Sequence, residues 1–177
     1  YPSLSGTNVS RDFVELPSQL YEHWLSTSEV LEGFAKHYKT GKAMPAKLRK
    51  RLFEARNFNQ GFATVEYTAS ALVDMALYAE PEGRTRDIDA FEAETLKRIG
   101  MPREISMRHR LPHFQHLFSS DGYAAGYYSY MWSEVLDADA FNAFEETGDA
   151  FDPATAARLK THVYAAGGSV DPEDTYK

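Results

Sequence analysis

The chain of 177 residues is 43% hydrophobic and 14% aromatic, which is enough apolar material for one domain with a buried core and argues against disorder. Its formal net charge of −7 argues against nucleic acid or an anionic membrane as a partner, because both bind clustered Lys and Arg side chains. The chain contains no cysteine, which excludes disulfides and thiolate metal sites. We find no signal peptide and no apolar run long enough to span a bilayer, and we expect a cytoplasmic protein, with a periplasmic location as the alternative.

The first predicted helix opens near residues 10–12, after a turn at 5–8, and continues to Trp24. Apolar residues recur at steps of three and four and predict one buried face, while polar residues at similar spacing predict a second face with a different role. Pro17 lies within this pattern, so it must either fall in the first turn or kink the helix. The apolar residues are Phe13, Leu16, Leu20 and Trp24, and the polar residues are Glu15, Gln19 and Glu22.

The segments that follow are also helical by their periodicity. Thr27 and Ser28 can cap a helix that ends at Gly41. The segment 61–79 has a wide apolar face, which predicts deep burial, and a turn is predicted at 80–83. The two other predicted helices in this part of the chain are 45–55 and 87–99.

The segment 101–117 differs from its neighbours because it is rich in Arg, His and Pro and has no clean period, which makes it a candidate functional loop. Beyond it the pattern predicts a long helix over 121–146 and, after a break, a helix over 154–166 that two glycines end. No β-hairpin signal and no internal repeat is present. The predicted fold class is therefore all-α, with 1–177 forming a single helical domain whose end, 169–177, frays.

Three tyrosines, Tyr123, Tyr127 and Tyr130, lie at i, i+4 and i+7 of the predicted long helix and therefore share one face. Gly122 and Gly126 leave little bulk around them, so another group can approach the backbone. This spacing predicts a cleft lined by tyrosines, but it also allows the alternative of an aromatic core with a close helix contact. The residues predicted to pack into the core from another side of the helix are Tyr128, Met131, Trp132 and Val135.

Histidines in the loop offer a different interpretation. His109, His113 and His116 would share one side of a helix and form a self-contained metal site. Pro112 argues against this site, because it ends any regular helix through His109. A local three-histidine metal site and a non-catalytic helical interaction module are the two alternatives to the interpretation that follows.

The segment Ser-Gly-Thr-Asn-x-x-Arg-Asp-Phe-Val-Glu-x-Pro-Ser-Gln-x-x-Glu-His-Trp, at residues 5–24, resembles the one that follows the His-Glu-x-x-His helix in the thimet oligopeptidase and peptidyl-dipeptidase family of zinc metallopeptidases. In that family the Glu of Asp-Phe-Val-Glu is the third zinc ligand, so the resemblance implies that zinc is the cofactor and Glu15 one of its ligands. The chain contains no His-Glu-x-x-His. The resemblance therefore implies that the chain is the C-terminal part of a zincin-type catalytic domain. It also implies that the upstream part of the same polypeptide is a partner of this chain and supplies two His ligands and the general base.

The segment Gly-Tyr-x-Ala-x-Tyr-Tyr-x-Tyr-x-Trp, at residues 122–132, is similar to the substrate-binding segment of the same family. A neutral phenol can donate to a carbonyl oxygen and hold it more strongly once that oxygen becomes an oxyanion. The resemblance implies catalytic roles for Tyr130, His116 and Tyr123, and substrate contacts by Tyr127 and Gly122.

The first of these segments, at residues 5–24, looks closer to the bacterial peptidyl-dipeptidases, which remove C-terminal dipeptides from short peptides, than to the endopeptidases of the family, which are the alternative. An exopeptidase of this type needs a cation or donors for the free carboxylate, and Arg108 and Arg110 are the available candidates. One carboxylate cannot replace the three protein ligands of a catalytic zinc. We therefore expect the 177-residue chain by itself to fold but not to cleave peptides.

Overall fold

The computed structural model describes residues 1–4, 7–79 and 87–176, apart from the side chain of Thr175. Helices dominate the described chain, which confirms the all-α fold class. Short 3-10 turns occur at Pro2–Leu4, Leu111–His113 and Asp121–Tyr123. The α-helices are α1 (Leu16–Trp24), α2 (Ser28–Phe34), α3 (Ala46–Glu54), α4 (Gln60–Ala79), α5 (Ile88–Arg98), α6 (Gln115–Phe118), α7 (Ser129–Glu145), α8 (Pro153–Leu159) and α9 (Pro172–Thr175).

The chain divides into two compact units. Unit 1 consists of Tyr1–Arg56 together with Ser129–Lys177, and unit 2 consists of Asn57–Tyr128. Unit 1 therefore contains α1 to α3 and α7 to α9, whereas unit 2 contains α4 to α6. The single domain expected from the sequence stays a prediction.

The helix α1 begins later than predicted, at Leu16, with Glu15 in the N-cap position. Pro17 falls in the first turn, where a missing N–H costs little because the first N–H groups of a helix have no intrahelical partner. Ahead of the helix, a separate turn is closed by a hydrogen bond from Phe13 N to Ser10 O (3.0 Å). The proline is thus accommodated at the start of α1.

The core of unit 1 forms where α1 packs against α7. Phe13, Leu16 and Leu20 are buried together with Phe141, which confirms the predicted apolar face of the first helix. Leu16 and Leu20 are completely shielded from solvent, and burial of a side chain of this size contributes about 1.5–3 kcal/mol. Partly buried residues that pack on this cluster are Val9, Trp24, Leu136, Ala140, Ala150, Leu159, Val163 and Tyr176.

The second helix starts as predicted but is shorter. Thr27 caps α2 with its side chain, and the helix ends at Phe34 rather than at Gly41. After that end, Lys36 and Ala43 form an antiparallel bridge, which is the only β-pairing within the described ranges. Gly41 adopts a φ of 66° in the turn between them, a conformation that glycine takes without steric cost.

The long helix α4 has about the predicted length, but less of it is buried than the apolar sequence predicts. Ala69 and Val73 are buried, whereas Phe62 and Leu72 are 47% and 43% exposed. The buried strip also contains a carboxylate, that of Asp74, which is completely shielded from solvent. The prediction of deep burial around a wide face is therefore wrong for the outer side of α4.

The helix α5 agrees closely with its prediction. Asp87 occupies the N-cap, where its carboxylate accepts from Ala90 N at 3.0 Å. Gly100 follows the end of the helix with a φ of 73°. The turn predicted at 80–83 lies outside the described residues, as does the first half of the turn predicted at 5–8.

The long helix predicted over 121–146 is wrong in its first third. The helix α7 starts at Ser129, and the residues before it form a 3-10 turn and an irregular loop. In that loop Ala124 has extended backbone angles and Ala125 has a φ of 56°, in the left-handed region. An L-residue in that region costs roughly 1–2 kcal/mol, so contacts elsewhere must hold the loop in this form.

The face of α7 that packs into the core is also different from the prediction. Trp132 and Val135 are 56% and 67% exposed, Tyr128 ahead of the helix is exposed, and Met131 is half-buried. Along the first half of α7, small and polar residues face the interior instead. Its buried residues are Ser129, Ser133, Asp137, Phe141 and Phe144.

The helix predicted over 154–166 consists of α8 and a stretch of π-helix, Lys160–Tyr164, and ends two residues earlier than predicted. Gly168 N donates to Ser3 O at 2.8 Å, and a Cβ at this glycine would lie 2.2 Å from Asn8 O. The predicted fraying after residue 169 is limited, because α9 forms and Tyr176 donates its hydroxyl to Leu136 O at 2.6 Å. In the part of the chain that is described, no helix combines the length and apolarity that crossing a membrane requires.

Candidate functional site

Glu15, the predicted metal ligand, lies at the N-terminus of α1. Its side chain is half-buried and makes no capping hydrogen bond to the helix. Ser18 Oγ lies 2.9 Å from Glu15 Oε2 and 3.0 Å from Glu15 O, so this hydroxyl steadies the residue from one turn further along. Because Leu16 directly after it is fully buried, the position of Glu15 is fixed by the core of unit 1.

A polar line continues along α1 from Glu15 to Gln19 and His23, at steps of four residues. Gln19 Nε2 donates to Tyr130 O at 3.1 Å and lies 3.3 Å from Asp137 Oδ2. His23 Nε2 lies 2.7 Å from Asp137 Oδ1, and the buried Asp137 thus joins both side chains to α7. The contact through Gln19 brings the helix that carries Glu15 against the first turn of α7, where Tyr130 lies.

A surface pocket of about 420 Å³ opens beside this polar line. It is lined on the α1 side by Gln19 and His23, on the α7 side by Glu134 and Asp137, and also by Arg56. Most of its lining is charged or amide-bearing. The pocket therefore suits water or polar groups better than an apolar ligand.

In unit 2, four rings gather around His116. Its ring centre lies 5.6 Å from that of Tyr123, 5.1 Å from that of Tyr127 and 5.5 Å from that of His109. Phe114, which is almost fully buried, closes the cluster with edge contacts to His116 and Tyr127. Two residues predicted to be catalytic, His116 and Tyr123, thus lie side by side and are half-buried.

The predicted tyrosine face does not exist as one helical face. Tyr123 belongs to the 3-10 turn, Tyr127 to the loop after it and Tyr130 to α7. Tyr127 is only 3% exposed, and burial raises the pKa of its phenol. Gly122, predicted to contact substrate, lies in the same 3-10 turn as Tyr123.

Two side chains of α4 hold the backbone of this loop. Asp74 accepts from Ala125 N at 2.9 Å with one carboxylate oxygen and from Tyr127 N at 3.0 Å with the other. Tyr67 donates its hydroxyl to Tyr127 O, and the two tyrosine rings stack with centres 4.9 Å apart. Burial raises the pKa of Asp74, while the backbone donors, including Gly126 N, act in the opposite direction.

The two predicted substrate arginines have different surroundings. Arg110 donates from Nε to Glu92 at 2.6 Å and from its terminal nitrogen to Asp89 at 2.8 Å. These carboxylates raise the pKa of Arg110 and offset its charge, so it is occupied in holding its own loop. Arg108 is exposed, and its backbone N donates to Glu66 O at 3.4 Å.

The sequence matches Peptidase family M3 over residues 1–177. The chain belongs to this family. Dipeptidyl carboxypeptidase of Escherichia coli is 38% identical over 180 residues, which cover all of this chain and 26% of that protein. Oligopeptidase A of Escherichia coli is 37% identical over 97% of this chain and 25% of that protein. An organellar oligopeptidase A of Arabidopsis thaliana is 39% identical over 93% of this chain and 21% of that protein.

This M3 chain thus spans about a quarter of the length of the curated relatives it matches. Within the ranges described, no three His, Asp or Glu side chains lie close enough to hold a metal ion. His113 is exposed at the end of its 3-10 turn, whereas the ring centres of His109 and His116 lie 5.5 Å apart. Glu15 offers one carboxylate, which is fewer than the three protein ligands that catalytic zinc requires.

Sequence reasoning missed the buried acids of this M3 chain that hold the loops. Asp74 and Glu92 are 0% and 5% exposed, and both accept from backbone N–H groups of segments that follow much later in the chain. A signal was available for Asp74, because it is an acid inside an otherwise apolar helical stretch. Ionised carboxylates are rarely buried without partners, so such a position predicts a specific hydrogen-bonding role.

Proposed function

We propose that this chain forms part of the catalytic region of a zinc metallopeptidase that hydrolyses short peptides. The observation that carries the proposal is the match to Peptidase family M3 along the whole chain, with Glu15 half-exposed at the start of α1. On this proposal the upstream part of the same polypeptide supplies the two His ligands and the general base. Zinc, when bound, polarises the scissile carbonyl.

Glu15 is the proposed third ligand in unit 1. Its carboxylate stands outside the apolar core, while the neighbouring Leu16 anchors the helix within it. Ser18 restricts the carboxylate by a hydrogen bond, which is the kind of support that orients a metal ligand. The role of α1 is therefore to present one oxygen ligand at a fixed position.

The proposed roles of the aromatic residues concern the carbonyl oxygen of the substrate. Tyr123 and His116 lie in edge contact and are both partly accessible. Tyr130 is half-buried at the start of α7, where Gln19 binds its carbonyl. A phenol or imidazole N–H that reaches the substrate oxygen stabilises it most when it becomes an oxyanion. Tyr127 and Gly122 are proposed to shape the substrate cleft.

Removal of C-terminal dipeptides is the proposed specificity. One relative bears the name dipeptidyl carboxypeptidase, and Arg108 is an exposed cation next to the His116 cluster in sequence. Arg110 is the weaker candidate for the free carboxylate, since it already binds Glu92 and Asp89. An endopeptidase is the second candidate, because other relatives at similar identity bear the name oligopeptidase A.

The test of the metal role is Glu15→Gln in the full-length protein. We expect bound zinc and nearly all turnover to be lost, because the amide is a weaker ligand than the carboxylate. Glu54→Gln, at an exposed acid of α3 in the same unit, is the matched control and should keep both. Full activity of the Glu15 variant with unchanged zinc content would refute the assignment.

The test of the oxyanion role is Tyr130→Phe in the same protein. We expect kcat to fall by about 10²-fold or more with a smaller change in KM, as for an interaction made mainly in the transition state. Tyr128→Phe is the control, because Tyr128 is exposed two residues earlier. An equal loss from Tyr128→Phe and none from Tyr130→Phe would show that the assignment to Tyr130 is wrong.

The exopeptidase proposal is tested by comparing a peptide with a free C-terminal carboxylate and the same peptide as an amide. A peptidyl-dipeptidase should cleave the free acid much faster and release a dipeptide. Equal rates on the two peptides would favour the endopeptidase. Arg108→Gln should slow only the free acid, whereas a loss on both substrates would contradict a role in carboxylate binding.

A further inference from the structure

The loop between the 3-10 turn and α7 has a backbone form that its own sequence does not favour. Ala125 has a φ of 56°, although it carries a Cβ, and the residues around it form no regular helix. A non-glycine residue in this region persists only where the surroundings hold it. The group that holds it must be found outside the loop.

Asp74 meets that requirement. It is completely buried, and its two carboxylate oxygens accept from Ala125 N and Tyr127 N, on either side of Gly126. In a continuous helix these N–H groups would bond to carbonyls four residues earlier. The carboxylate therefore replaces the helical partners and fixes the loop at the point where it departs from a helix.

Tyr67 holds the same loop from a position two helical turns earlier on α4. Its hydroxyl donates to Tyr127 O, and its ring stacks on that of Tyr127. Tyr127 is thus bound at its N–H by Asp74, and at its C=O and ring by Tyr67. Tyr127 in turn contacts His116, which also contacts Tyr123.

We propose that Asp74 and Tyr67 are positioning residues that act through Tyr127 to fix the locations of His116 and Tyr123. This inference rests on the proposed peptidase function, in which those two residues contact the substrate. Asp74 and Tyr67 do not touch substrate themselves. Their effect is to keep the hydrogen-bond donors of the site in one arrangement. This matters for the rate, since a small displacement of a catalytic donor lowers it strongly.

The main test is Asp74→Asn in the full-length protein. The side chain keeps its shape, but its NH₂ group replaces one acceptor and faces a backbone N–H. We expect kcat to fall by about tenfold or more with a smaller change in KM and with unchanged zinc content. The matched control is Glu94→Gln on α5, an exposed acid of the same unit, which should keep wild-type kinetics.

Tyr67→Phe provides the second variant, which removes one hydroxyl and leaves the stacked ring. We expect this variant to lower kcat by about threefold to tenfold. In the double variant with Asp74→Asn, we expect kcat to fall by less than the product of the two separate factors, because both residues hold Tyr127. Wild-type kcat in a folded Asp74→Asn protein, or fully multiplicative effects in the double variant, would overturn the proposal.

Amide hydrogen exchange tests the same contacts without any assay of activity. We expect the Ala125 and Tyr127 N–H groups to be protected in the unaltered protein and to exchange at least tenfold faster in Asp74→Asn. Fast exchange of both amides in the unaltered protein would overturn the proposal, even if Asp74→Asn failed to fold. If the amides were protected but the protein bound no zinc and cleaved no peptide, the proposed function and the catalytic part of this inference would be refuted. The structural part, that Asp74 fixes the loop, would still stand.

Discussion

Unit 1 and unit 2 fix their candidate site residues by different physical means. In unit 1, Glu15 takes its position from apolar packing, because Leu16 and Leu20 seal α1 against α7. In unit 2, the loops that carry the candidate residues are held by buried carboxylates, Asp74 and Glu92, which accept from backbone N–H groups. Apolar packing orients a regular helix, whereas a buried carboxylate can hold a backbone that forms no regular structure.

The largest expected effect concerns the apolar core of unit 1. Leu20→Ala in the 177-residue chain should lower the free energy of unfolding by about 2–5 kcal/mol, because it leaves a cavity where Leu20 is completely buried. Urea denaturation measures the change. Leu25→Ala, at a site that is 65% exposed, is the control and should cost about 0.5 kcal/mol or less. Equal costs would mean that packing at Leu20 does not hold α1.

A smaller effect is expected from the buried acid of α5. Glu92→Gln should cost about 1–3 kcal/mol, since the amide cannot accept from both Arg110 Nε and Leu111 N as the carboxylate does. Denaturation measures the free energy of unfolding of this variant and of Glu94→Gln, whose side chain is exposed. The difference between the two gives the contribution of burial. If the two variants were equally stable, buried carboxylates would not be what holds the loops of unit 2.

A polar contact in unit 1 should matter less. Tyr176→Phe removes a hydroxyl that donates to Leu136 O at 2.6 Å and lies 3.1 Å from Asp139. We expect a loss of about 0.5–1.5 kcal/mol in denaturation experiments, the usual contribution of one hydrogen bond. Tyr38→Phe, at an exposed tyrosine, serves as the reference. A loss larger than that of Leu20→Ala would mean that this polar contact, rather than apolar packing, is the main support of unit 1.

The smallest effect should appear in the pH dependence. Burial lowers the pKa of His109, and the charges of His116 and Arg108 act in the same direction, while Glu66 opposes them. The unfolded chain binds a proton at this residue near pH 6.5, and the folded chain binds it less readily. The free energy of unfolding is therefore undiminished by His109 above about pH 6.5, and it falls as the pH drops below that value because the unfolded chain takes up the proton first. Unfolding free energies measured from pH 7.5 to 5.5 should fall less steeply for His109→Gln, and identical slopes would contradict this assignment.

The regular part of the fold was readable from the sequence because its causes are local. The period of Phe13, Leu16 and Leu20 predicted the buried face of α1, the capping side chain of Thr27 predicted the start of α2, and the helical pattern from Asp87 onward predicted α5. Each of these signals depends on residues within one or two turns of the helix that they define. The family resemblance added Glu15, which no period distinguishes from an ordinary surface acid.

The irregular part depends on partners far away in the chain, and the sequence-based prediction was wrong there. The tyrosine segment has a helical spacing, yet Asp74, about fifty residues earlier, draws the N–H groups of Ala125 and Tyr127 out of a helical pattern. For the same reason the exposure of Trp132 was not foreseen, because the buried face of α7 carries polar residues, Asp137 bound to α1 and Ser133 bound to the segment before it. Periodicity reports how apolar residues are spaced, and it carries no information about which distant acid binds a backbone.

Unit 1 is completed only by residues from both ends of the chain. Ser133 Oγ, for example, donates to Asp12 O across 121 residues, whereas Asp74 and Ala125 in unit 2 are 51 residues apart. Contacts over such long separations form slowly, and a ribosome adds about 5–20 residues per second. On that scale roughly 6–25 s separate the synthesis of Leu16 from that of Phe141, its partner in the core. During that interval the apolar face of α1 lacks its core partner on α7.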